Sequence, residues 1–119
     1  MKLTDLMIKD WVMVKVLSQI PNTYVLHTWA ANDYSRNLQV KPIPLTTEIL
    51  EKNGWKYTTY CHEYQDGKNT IQCRLPYMLG RINRIDIENF KCEYVHQYQH
   101  LLRLCGLNEL ADNFKVYEE

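Results

Sequence analysis

Apolar and β-branched residues occupy the first 41 positions in short runs separated by turn signals. The run LMIKDWVMVKVL, Leu6 to Leu17, is predicted as a strand with a turn or change of direction at Lys9-Asp10. Pro21-Asn22 interrupts it, and TYVLHTW (23–29) follows as a second strand with Tyr24, Leu26 and Thr28 on one face. AANDYSRN is a polar loop, and LQVKPI is a short third strand that ends at Pro42 and Pro44.

The stretch VKPIPLTTEILEKNGW (40–55) carries a complete set of helix punctuation. Thr46 is the expected N-cap, Leu45 and Leu50 form a hydrophobic staple, and Glu48 lies in the first turn. Gly54 ends this two-turn helix, so that Trp55 folds back onto Leu50. A period of two then places Trp55, Tyr57, Thr59 and Cys61 in one row and Ile71, Cys73 and Leu75 in another. Joining the two rows on one face calls for an odd loop. The expected loop is Gln65-Asp66-Gly67, with Tyr57 opposite Leu75 and Cys61 opposite Ile71.

A further strand around Ile85 and Ile87 changes phase near Glu88-Asn89, which calls for a bulge or turn. EYVHQYQHLLRLCGL is the main helix: at 100° per residue Tyr94, Val95, Tyr98, Leu101, Leu102 and Cys105 share a face. Gly106 is the expected left-handed stop, with Leu107 packing back on Leu102. The tail holds a short helical turn, a last strand around Phe114 to Tyr117 and a fraying acidic end. The reading is one α+β domain over 1–119, with a strand-rich part over 1–41 and a helix, hairpin, strand and helix over 42–119.

Composition narrows the function more by exclusion than by indication. Lys plus Arg equals Asp plus Glu at 14 each, so no net positive field draws in a polyanion, and the densest basic patch is only Arg81 and Arg84 with Arg74 upstream. No apolar run approaches the roughly 20 residues of a membrane span. Charges at Lys2, Asp5, Lys9 and Asp10 break any leader-like apolar core, so a cytoplasmic location is expected. The four cysteines form no C-x-x-C pair and read as reduced, buried side chains.

Candidate chemistry is sparse. His96 and His100 have the i, i+4 spacing of a shared metal, but Gln97 stands where a metalloprotease helix has Glu. Both histidines share the polar face of the main helix with Arg103. Cys61 and His62 are neighbours on a strand and point to opposite faces, which denies them a thiol–base pair. With four glycines there is no phosphate-cradling loop. No enzyme activity, cofactor or metal is therefore expected. Nine tyrosines and three tryptophans suit the strand faces of a small β-rich domain first, and contact surfaces second.

Three segments, DLMIKDWV (5–12), PIPLTTEILEKNGW (42–55) and YVHQYQHLLRLCGL (94–107), carry a resemblance to a known group. The chain resembles small uncharacterised proteins of Bacteroides-type bacteria and of their phages and mobile elements. The resemblance implies an α+β fold and a bacterial or phage cytosolic setting, and it implies no particular activity. The opening strands are also similar in style to small SH3-like barrels. The expected function is a non-catalytic protein-interaction module, such as an accessory or inhibitor protein acting on a host defence factor. Its contact residues would be Tyr60, Tyr64, His96, His100 and Arg103. The alternative is a weak nucleic-acid binder that uses Tyr60, Tyr64 and Arg74. Self-association stays open, and no membrane partner is expected.

Overall fold

Trp11–Lys15 (β1) organises the N-terminal half. In the computed structural model, which describes residues 1–58 and 60–117, it lies between β2 (Tyr24–Thr28) and β3 (Val40–Lys41) in an antiparallel sheet. Its alternation serves two cores. Val12 and Val14 join Leu6 and Trp29 in a small cluster, whereas Trp11 and Met13 pack against the main core. A strand covered on both faces shows no clean polar alternation, which is why the sequence reads there as one apolar run. The expected strand from Leu6 to Leu17 is accordingly too long. Leu3–Asp5 forms a 3-10 turn, and Lys9, with φ of +72°, turns the chain where the sequence predicts a change of direction. Tyr24, Leu26 and Thr28 do share a face, but the buried anchor of this segment is Trp29, in the other row.

The 40–55 stretch folds as its punctuation dictates. Thr46 Oγ1 accepts the Ile49 N–H at 3.3 Å to open α1 (Thr47–Lys52), and the Trp55 N–H returns to the Leu50 carbonyl at 3.2 Å. Leu45, Leu50 and Trp55 are all buried. The five strands β4 (Lys56–Tyr57), β5 (His62–Asp66), β6 (Asn69–Arg74), β7 (Tyr77–Ile82) and β8 (Ile85–Lys91) then run as an antiparallel meander in chain order.

The hairpin register differs from the expected one. The loop has two residues, Gly67 and Lys68, so Asp66 faces Asn69, Tyr64 faces Ile71 and His62 faces Cys73. Gly67, with φ of +56°, takes the first loop position, as a tight two-residue hairpin allows. Upstream, the strand is broken: the Thr58 N–H bonds the Cys61 carbonyl at 2.7 Å, and Tyr57 pairs with His62 rather than Leu75. The chain reverses between Tyr57 and His62, so Tyr57 and Cys61 do not share one strand and Ile71 meets Tyr64 instead of Cys61.

β7 is an element the sequence reading lacks. Its hairpin to β8 turns on Asn83 and Arg84, both at positive φ (+49° and +68°), where Arg replaces the usual glycine and hides the signal. The expected irregularity in β8 is present: Gly80 faces Ile87 but Met78 faces Phe90, and Asn89 sits at φ +49° in the bulge.

α2 (Val95–Leu104) lies against both sheets, and α3 (Asn108–Asp112) follows it. Val95, Tyr98, Leu101, Leu102 and Cys105 meet Ile71, Cys73, Met78 and Ile82 in the main core, as the periodicity predicts, whereas Tyr94, expected on the same face, is the half-buried N-cap outside that core. The Leu107 N–H closes the helix on the Leu102 carbonyl at 2.9 Å. The final strand expected at Phe114 to Tyr117 is not formed. Asn53 binds the tail with its side-chain amide, donating to the Lys115 carbonyl and accepting the Lys115 N–H, both at 2.7 Å. A side chain thus supplies what a partner strand would have given. Thr59, Glu118 and Glu119 lie outside the described residues, and with them the expected place of Thr59 in a row and the fraying of the acidic end. Among the described residues no helix is long and apolar enough to cross a membrane.

Candidate functional site

The polar face of α2, expected to offer His96, His100 and Arg103 as contact residues, is covered. His96 is buried, while His100 and Arg103 lie over Asp10, which has no solvent exposure. Asp10 Oδ2 accepts from the Met7 N–H at 2.8 Å and from His100 Nε2 at 2.5 Å, and its Oδ1 accepts from Arg103 Nη1 at 2.5 Å. Arg103 continues to Asp112 at 3.2 Å. Helical spacing puts 96, 100 and 103 on one side but is silent about the layer that covers it. That layer is the turn before β1.

Gln99 completes this joint. Its Oε1 accepts the Trp11 N–H at 2.9 Å, and its Nε2 donates to the Lys9 and Ala111 carbonyls, both at 3.0 Å. A second Asp–His–Arg group sits on the small core. Asp33 accepts from His27 Nε2 at 2.7 Å, the Ala30 N–H at 2.8 Å and Arg36 Nη1 at 3.1 Å. Burial would raise the Asp33 carboxyl, but these three donors together hold it below the ordinary aspartate value. Both carboxylates are fully engaged with protein donors and act as joints.

The surface available for binding lies on the opposite side of the molecule's larger sheet. Ile71, Cys73, Met78 and Ile82 face the core, so Glu63, Gln72, Arg74, Tyr77 and Leu79 face outward. With Tyr60, Thr58, Cys61 and Asn89 they line an open pocket of about 560 Å³. The broken strand creates it, since the 58–61 turn lifts Tyr60 to the rim with 79 % of its surface exposed. Glu63 is oriented on the floor by amide donors from Gln65 and, at 3.3 Å, Gln72. A wider depression of about 650 Å³ between the β5–β6 hairpin and α3 carries Asp66 and Glu109 but no aromatic side chain.

Tyr60 and Arg74 therefore meet at one site, as the sequence grouping has it, but Tyr64 leaves them. Its ring packs on Trp55 at 5.9 Å on the core side, and burial, followed by Asp66, pushes its phenol pKa up. Tyr77 takes its place. The sequence reading missed Tyr77 along with β7, and the turn that would have revealed both lacks its glycine. Burial pushes the Cys73 and Cys92 thiols up to about 12, leaving half-buried Cys61 as the accessible cysteine. Among the described residues no group of three His, Cys, Asp or Glu side chains is placed to hold a metal ion. Comparison with protein-family models, curated proteins and solved structures gives no match to this chain.

Proposed function

We propose that this chain is a non-catalytic protein-interaction module whose contact surface is the outer face of the five-stranded sheet. The observation that carries the reading is the pocket in which exposed Tyr60 and Tyr77 and the half-buried Leu79 surround a carboxylate and a guanidinium, Glu63 and Arg74. Tyr and Arg are the side chains that dominate protein contacts, and a charge of each sign suits the mixed charges of a polypeptide. Glu63 on the floor also opposes phosphate, which lowers the rank of the nucleic-acid alternative even though Tyr60, Arg74 and Tyr77 offer stacking groups and a cation. In the phage or mobile-element setting that the resemblance implies, the partner would be a host protein, with defence factors the first to examine.

The test compares affinity capture from host lysate by the unaltered chain and by the Tyr60→Ala/Tyr77→Ala variant, each with and without nuclease. A protein retained after nuclease and lost with the variant supports the reading. Retention unaffected by the variant contradicts it, and retention abolished by nuclease favours the nucleic-acid alternative.

A further inference from the structure

β2 ends the three-stranded sheet with an unprotected edge. The ladder to β1 fixes which backbone groups are free. Trp29 N–H bonds Asp10 O and Val16 N–H bonds Thr23 O, both in the register that pairs Val12 with His27 and Val14 with Val25. In an antiparallel ladder bonded pairs alternate, so residues 23, 25, 27 and 29 turn their polar groups to β1. Tyr24, Leu26 and Thr28 turn theirs to solvent.

The other edges carry protection that β2 lacks. β3 and β4 are two residues long, and β8 bears Asp86, Glu88 and Lys91 together with its bulge. β2 reads Tyr-Val-Leu-His-Thr, with no proline and no unpaired charge, since His27 is held by Asp33. Val25 and Leu26 are exposed on its two faces, and Leu17 and Ile20 are exposed in the loop that leads into it.

We infer that β2 pairs with β2 of a second copy of this chain, antiparallel about a two-fold axis at Leu26. The free groups are symmetric about that residue: Leu26 meets Leu26 of the second copy, and Tyr24 and Thr28 meet each other's counterparts. All three pairs turn their free N–H and C=O groups toward the partner strand, and the row between them sets Val25 against His27. No like charges are brought opposite one another, and the two sheets become one of six strands. A contact of five residues per chain is small, so the dimer forms in a concentration-dependent way. It leaves the Tyr60 pocket free and stands independently of the proposed function.

Sedimentation of the full chain from micromolar to near-millimolar concentration should show the mass rising from one chain toward two. Over the same range the Tyr24, Leu26 and Thr28 amides should become protected from hydrogen exchange, while those of Val25 and His27, already bonded to β1, do not change. Leu26→Lys, at a position 43 % exposed, should weaken association about ten-fold or more by setting like charges opposite each other. A mass that stays at one chain overturns the inference. So does a dimer formed without protection of these three amides, or one that Leu26→Lys leaves intact.

Discussion

Gly80 packs tightly against β6: a Cβ built on it would stand 2.1 Å from the Thr70 carbonyl oxygen, and its φ is +136°. Both the space and the backbone conformation demand glycine. Gly80→Ala should therefore destabilise the fold by about 3 kcal/mol or more, read as a lower urea midpoint. His96 carries a different signature. Burial, then the neighbouring His100, hold its imidazole below the ordinary value, against the opposing pull of Asp10 and Asp5. The unfolded chain takes up this proton first, so the stability tied to His96 is complete above about pH 6.5 and is lost as the pH falls below it. His96→Phe should flatten the stability–pH curve below about pH 6.5 relative to the unaltered chain.

Elements whose signals are local were legible in the sequence. α1 carries its N-cap, staple and stop within ten residues, and α2 carries a periodic face and Gly106. Elements defined by partners were not. β1 is covered on both faces, the link from Tyr57 to His62 depends on β4 pairing back on β5, and β7 lies between a Leu75-Pro76 turn and an Asn-Arg turn that lacks glycine. The tail has no strand pattern to show because Asn53 replaces the strand partner. Gln99 does the same for β1, and a glutamine on a helix gives no hint of it. Gln99→Leu should leave the Trp11 N–H and the Lys9 carbonyl unpaired and cost about 3 kcal/mol, with faster hydrogen exchange at Trp11. Thiol labelling reports on the turn: Cys61 should react in the folded chain while Cys73 and Cys92 stay silent until unfolding.

On the scale of the whole molecule, two cores meet at β1 and α2. The main core draws on residues from Ile43 to Val116, and the small one on Leu6, Val12, Val14 and Trp29. Of the polar residues most suggestive of chemistry in the sequence, His100 and Arg103 bind Asp10 at that joint, and His96 is buried beside His100. This is why their spacing pointed to a site. The candidate contact surface lies on the outer sheet face, where Tyr60 and Arg74 were legible and Tyr77 was not. Site-specific photo-crosslinking in the host tests this assignment most directly, with the crosslinker placed at Tyr60, at Tyr77, or at Leu104 on the exposed side of α2. One discrete protein adduct is expected from positions 60 and 77 and none from 104. An adduct from 104 without one from 60 or 77 would contradict it.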